Sequence, residues 1–144
     1  MSLVSSETIH ASSVAIGGTA VLIEGRSGCG KSDLALRLID RGAVLVSDDY
    51  TLCQRKDGAI VASPPVTIAG QIEVRGLGIV AMNHVEQVPV ALIVTLVDTP
   101  DRMPEPIASR PIAGLPVPVV ALPGLEASSP LKVEIALKRA LAAT

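Results

Sequence analysis

A short apolar, β-branched run, Thr19-Ala20-Val21-Leu22-Ile23, leads into the glycine-rich segment Gly25-Arg26-Ser27-Gly28-Cys29-Gly30-Lys31-Ser32. Leu34, Ala35, Leu38 and Ile39 follow at helical spacing, and Gly42 reads as a stop. A buried strand, a glycine loop and a helix opening on Lys-Ser leave few folds available. The segment fits the G-x-x-x-x-G-K-[ST] pattern, with an additional glycine at Gly28. Such a loop turns several backbone N–H groups inward at phosphate oxygens and sets a helix N-terminus against them. Lys31 reaches the outer phosphates as a point charge, and the Ser32 hydroxyl can ligate Mg²⁺. The segment predicts binding of a nucleoside triphosphate or a similar polyphosphate.

The rest of the chain bounds the architecture. At 144 residues it reads as one domain spanning residues 1–144. Hydrophobic residues make up 49% and aromatics only 1%, so the core must be built from Val, Ile, Leu and Ala, which favours a strand-rich α/β fold. Tyr50 is the only aromatic residue, which argues against base-stacking recognition of nucleic acid. A net charge of −2 supplies no basic field for a phosphate backbone. The longest apolar stretch, Val88 to Val97, contains a proline and is far short of the roughly 20 residues needed to cross a bilayer. The first basic residue is Arg26, so no secretory n-region is visible, and the expected location is the cytoplasm. Cys29 and Cys53 show neither metal-ligand spacing nor a disulfide framework.

Residues 8–23 read as a β-hairpin turning at Gly17-Gly18, and Ala43–Val46 as a buried strand ending on Ser47-Asp48-Asp49. Lys56-Asp57-Gly58 is a turn between Thr51–Arg55 and Ala59–Ala62. Val90–Val97 is the strongest strand and ends at Asp98. Prolines 100, 104, 106, 111, 116, 118 and 123 restrict the next region to extended segments and loops. Ser129-Pro130 reads as an N-cap and first helical residue, with Val133, Leu137, Ala140 and Leu141 on the apolar face of a final helix.

The acidic residues discriminate among the fates of a bound triphosphate. Two apolar strands end on carboxylates, one at Asp48-Asp49 and the other at Asp98. Either is placed to orient Mg²⁺, and the Asp pair also permits a general base, although an Asp-Asp turn after a strand is common without any chemistry. Alternation puts Glu73 and Arg75 on one face of a short strand, where an ordinary surface salt bridge is the competing reading. His10 by itself is compatible with a half-buried structural histidine.

Taken together, Gly25–Ser32, Asp48-Asp49 and Glu73-Val-Arg-Gly-Leu-Gly-Ile79 resemble HPr kinase/phosphorylase. His10 and Leu115-Pro-Val-Pro-Val119 extend the match over nearly the whole chain, corresponding to the family's catalytic C-terminal domain. The resemblance implies a P-loop-containing mixed sheet with flanking helices, related to phosphoenolpyruvate carboxykinase. It implies an ATP- and Mg²⁺-dependent kinase that phosphorylates a serine of an HPr-like phosphocarrier of the bacterial phosphotransferase system, and a hexameric assembly. Carried over, Gly25, Ser27, Gly28, Cys29, Gly30, Lys31 and Ser32 bind the nucleotide, and Ser32 and Glu73 hold Mg²⁺. Asp48 is the expected general base, with Asp49, His10 and Arg75 lining the same site.

Two positions depart from the family. Tyr50 stands where an arginine is usual, and the Pro-Gly-Arg-Asn segment reads Pro123-Gly124-Leu125-Glu126. The second departure removes a cation tied to phosphate attack on phosphoserine, so weak or absent phosphorylase activity is expected, with Arg102 or Arg110 as the candidate substitutes. The rival readings are a P-loop ATPase or small-molecule kinase using Asp98, and a nucleotide-responsive module that transfers nothing.

Overall fold

The computed structural model describes residues 5–101 and 108–143. Arg102, Pro104 and Pro106 lie outside the described residues. The strands are β1 (Ser6–Ile9), β2 (Ala11–Ile16), β3 (Thr19–Glu24), β4 (Val44–Ser47), β5 (Thr51–Lys56) and β6 (Ala59–Ser63). They continue with β7 (Gln71–Val74), β8 (Gly78–Ala81), β9 (Val88–Leu96), β10 (Ala108–Ile112) and β11 (Leu115–Leu122). Two helices, α1 (Lys31–Asp40) and α2 (Ser129–Ala142), complete the fold.

The sheet is mixed and branches at β9. Its central run is β4-β2-β3-β9-β11-β10, in which β3 and β11 both pair with β9 in parallel and the other contacts are antiparallel. The start of β9 also pairs with β6, from which β5 and β1 extend a second layer. Strand β3 shows why the run reads as apolar throughout. Val21 and Ile23 enter the core beneath the helices, whereas Ala20 and Leu22 enter the core facing the second strand layer. A strand covered on both faces has no position left for a polar alternation. Strand β9 divides in the same way, with Leu92, Val94 and Leu96 on the helix side and Ile93 on the other.

Both helices pack into the same core, α1 through Leu34, Ala35 and Leu38 and α2 through Val133, Leu137 and Ala140. The expected flanking helices thus lie on one face only. The small hairpin β7-β8 stands beside them and buries Ile72 in that core.

Several details differ from the sequence reading, beyond shifts of one or two residues at strand ends. The first hairpin begins at Ala11, because Thr8 and Ile9 belong to β1 and pair with Leu52 and Thr51 of β5. Helix α2 is capped at Ser128, with Ser129 its first residue. The Ser129 hydroxyl donates 2.6 Å to the Pro123 carbonyl rather than capping the helix. Leu141 is 43% exposed and so lies off the buried stripe.

Candidate functional site

The glycine loop leaves β3 at Glu24 and enters α1 at Lys31. Close packing favours glycine at position 25, and backbone conformation favours it at positions 28 and 30. A Cβ at position 25 would lie 2.6 Å from the Cys29 Sγ, and one at position 30 would lie 2.7 Å from the Leu125 side chain. Gly30 also has φ +98°, in the left-handed region that other residues avoid. Lys31 is almost fully buried and donates from Nζ to the Gly25 carbonyl (2.9 Å) and the Arg26 carbonyl (3.2 Å). The ammonium is thereby held over the mouth of the loop, with a third N–H still to give.

Asp48 sits at the centre of the arrangement. Strands β4 and β3 both run opposite to β2, which lies between them, so their C-terminal ends reach the same sheet edge. The carboxylate is 7% exposed and accepts three hydrogen bonds. The Ser12 hydroxyl donates to Oδ1 at 2.8 Å, the Ser32 hydroxyl to Oδ1 at 2.6 Å and the Glu73 backbone N–H to Oδ2 at 2.9 Å. Asp48 thus joins β2, the first turn of α1 and β7. Among the described residues no cation lies within ion-pairing distance of it. Its charge is met by these dipoles and by the N-terminus of α1.

Asp49 differs in backbone and surroundings. It has φ +68°, and the Tyr50 N–H donates back to the Asp48 carbonyl at 2.7 Å, closing a three-residue turn around Asp49. Such turns are rare and strained, and strain of this kind costs about 1–3 kcal/mol and collects at functional sites. The turn directs the Asp49 side chain outward, where it is 60% exposed and lies 2.9 Å from His10 Nε2. The His10 ring stacks on Tyr50 with centroids 4.8 Å apart. Ser12 ties the two aspartates together by accepting the Asp49 backbone N–H at 3.1 Å while donating to Asp48.

A cleft of about 400 Å³ opens in front of Lys31 and Ser32 and is also lined by Glu73 and Arg75. Arg75 lies in the turn after β7 rather than within the strand, yet it reaches the same cleft as Glu73. Among the described residues the two form no ion pair with each other. Asp98 lies elsewhere. It pairs with Arg26 at 2.6 Å and lines a second cavity of about 710 Å³ on the other side of the loop. Arg110 is also committed, gripping Glu24 at the loop entrance with contacts of 2.7 and 2.5 Å. Burial by itself would raise the Glu24 pKa. Hydrogen bonds from Arg110 and Thr95, with the Arg110 charge, outweigh it and hold the carboxyl below its ordinary value.

No cluster of three or more His, Cys, Asp or Glu among the described residues is arranged to hold a metal. Mg²⁺ does not need such a cage, because it keeps several waters and takes one or two protein ligands together with substrate phosphates. The donor set fits that requirement. The Ser32 hydroxyl gives its proton to Asp48, which leaves its oxygen lone pairs for a cation, and the Glu73 carboxylate faces the same cleft.

Sequence reasoning did not single out Ser12 or the stacking role of Tyr50. A signal for Ser12 existed, since Ser12-Ser13 interrupts a strand that is otherwise buried and apolar. Tyr50 carried none, because its contact with His10 joins β5's entry to the turn before β2.

A family model for the HPr serine kinase C-terminal domain matches residues 1–129. The chain belongs to the HPr serine kinase C-terminal domain family. It is 38% identical over 130 residues to an HPr kinase/phosphorylase of Pelodictyon phaeoclathratiforme, covering 79% of this chain and 39% of that protein. Against the HPr kinase/phosphorylase of Lacticaseibacillus casei the identity is 35% over 129 residues, covering 81% and 40%. The chain thus spans about two fifths of the length of these relatives. The solved HPr(Ser) kinase/phosphatase of Coxiella burnetii superposes with a TM-score of 0.78 at 32% identity, covering 92% of this chain and 89% of that one. Among the described residues no helix is long and apolar enough to cross a membrane.

Proposed function

We propose that this chain is the catalytic unit of an ATP- and Mg²⁺-dependent kinase that phosphorylates a serine of an HPr-like phosphocarrier. One observation carries the reading. The Lys31-Ser32 helix start and the Glu73–Arg75 hairpin line one cleft, and Asp48, from a third distant segment, accepts hydrogen bonds from both.

In this reading the loop 25–30 is a phosphate-binding loop, and its N–H groups and the Lys31 ammonium hold the polyphosphate. Ser32 and Glu73 are the metal ligands, and the bound Mg²⁺ supplies neutralisation of charge on the phosphoryl oxygens. Arg75 adds a second cation at the cleft. Asp48 is the base that the family resemblance implies; we propose Asp49 instead. Asp48 is buried with three donors on its carboxylate, which suits it to orient Ser32. Asp49 is exposed, held by His10 and accessible to a hydroxyl on an incoming protein. A homo-oligomer and a cytoplasmic setting remain part of the proposal through the family alone.

The strap at residues 123–126 supports a kinase with little reverse activity. Its Leu125 side chain rests on Gly30, and Arg37 donates to the strap's own carbonyls at Gly124 and Glu126. No described cation in the strap is available to bring inorganic phosphate beside a phosphoserine.

The test is to incubate the protein with γ-labelled ATP, Mg²⁺ and HPr-type carriers and to map the label. Transfer to a carrier serine supports the reading. Hydrolysis of ATP without transfer to any carrier refutes it.

A further inference from the structure

The two cavities beside the glycine loop differ in chemistry and meet at Gly28 and Leu125, which line both. The smaller one holds two cations, Lys31 and Arg75, against Asp33 and Glu73. The larger one is walled by Leu96, Val97 and Pro123, with Arg26, Asp98 and Glu126 as its charged groups. Arg26 is neutralised by Asp98 at 2.6 Å, and Glu126 pairs with Lys132 at 2.9 Å. One cation against two carboxylates makes this space unsuitable for a polyphosphate. It suits an uncharged group with an apolar face and hydroxyls.

We propose that the larger cavity is the nucleoside subsite for the nucleotide whose phosphates occupy the Lys31 cleft, with Asp98 as the acceptor for the ribose hydroxyls. This rests on the nucleotide-binding reading above. The volume, about 710 Å³, lies within the usual span of roughly 300–1,000 Å³ for small-molecule sites. Asp98 uses Oδ2 for Arg26, and no described residue donates to its Oδ1. In doubly wound dinucleotide-binding folds an acidic side chain accepts a ribose hydroxyl in this way.

The passage between the cavities is built into the loop. A Cβ at Gly28 would meet nothing within 4 Å, so a side chain there would project into open space. Opposite it, Leu125 lies against Gly30. The far wall is fastened. Arg37 donates to the carbonyls of Gly124 and Glu126, Ser129 donates to that of Pro123, and Gly124 packs so closely on the loop that a Cβ would lie 2.8 Å from the Cys29 oxygen. A nucleotide reaching from one cavity to the other lies across Gly28 and beneath Leu125. With no aromatic residue in either lining, the base packs on aliphatic side chains alone.

The experiment is calorimetric titration of the whole chain with Mg-pyrophosphate, Mg-ATP and Mg-2′,3′-dideoxy-ATP, in the wild type, Asp98→Ala and Lys31→Ala. Asp98→Ala should weaken ATP about tenfold, consistent with loss of a hydrogen bond to a charged acceptor. It should bind ATP and dideoxy-ATP equally and pyrophosphate no more weakly than the wild type. Asp98 is exposed, so the variant is expected to fold. If Asp98→Ala leaves the preference for ATP over dideoxy-ATP intact, or weakens pyrophosphate as much as ATP, the subsite assignment fails while the phosphate site stands. If pyrophosphate and ATP fail to bind the wild type, or Lys31→Ala binds both normally, the nucleotide reading fails and takes the subsite with it.

Discussion

The two adjacent aspartates should respond to the same substitution in opposite ways. Asp48→Asn acts on a buried carboxylate that accepts from Ser12, Ser32 and the Glu73 N–H. An asparagine there keeps all three contacts only if its oxygen turns to Glu73 and its NH₂ faces the two hydroxyls, which must rotate to accept. Three charge-assisted bonds then become neutral ones. Taking about 1.5–3 kcal/mol for a hydrogen bond to a charged group and about 0.5–1.5 for a neutral one, the gross loss is roughly 3 kcal/mol. Removing a buried charge that has no cation partner returns part of it, leaving a net destabilisation of about 1–3 kcal/mol. At about 2–4 °C per kcal/mol for a chain of this size, Tm should fall by roughly 2–12 °C.

Asp49→Asn acts on an exposed side chain, and asparagine tolerates the positive φ of the turn almost as well as aspartate. Its stability should therefore change by no more than about 0.5 kcal/mol. Its rate of carrier phosphorylation should drop at least roughly 10²-fold, the low end for loss of a general base. Calorimetric melting and a steady-state phosphorylation assay on both variants decide the matter. An unchanged or raised Tm for Asp48→Asn, or near-normal turnover for Asp49→Asn, refutes this division of roles.

Three other outcomes are expected. Lys31→Ala should melt cooperatively but lose measurable Mg-ATP binding, which equilibrium titration will show, because its ammonium is held against the loop by the Gly25 and Arg26 carbonyls. Glu73→Gln should raise the Mg²⁺ concentration for half-maximal rate several-fold without changing the fold, whereas an unchanged metal titration would remove Glu73 from the metal's ligands. The Glu24–Arg110 pair should contribute stability at neutral pH that is lost in acid. The Glu24 pKa is lowered on folding, so the contribution is complete above the ordinary value of 4.5 and disappears as pH falls through the lower folded value. Arg110→Gln should flatten that part of the stability profile in acid-melting experiments.

The strand, loop and helix at 19–40 were legible in the sequence because they obey local rules. An apolar β-branched run, glycines at fixed spacing and a 3.6-residue apolar period do not depend on distant partners. The Asp57-Gly58 turn between β5 and β6 was legible for the same reason. The surroundings of the two aspartates were not. Alternation along a strand predicts that neighbours face opposite ways. It does not predict that Asp49 would form the strained centre of a turn or that Asp48 would be enclosed by donors from three elements. Those donors are Ser12, Ser32 and Glu73, which come together only when β2 pairs between β3 and β4 and the β7-β8 hairpin docks beside α1. Asp98 shows the same limit. The sequence correctly placed it just past a buried strand, and only tertiary packing put it on the far side of the loop, beside Arg26. Local chemistry determined which groups this chain possesses. The long-range pairing of strands, whose register depends on burying two cores at once, decided which of them face one another.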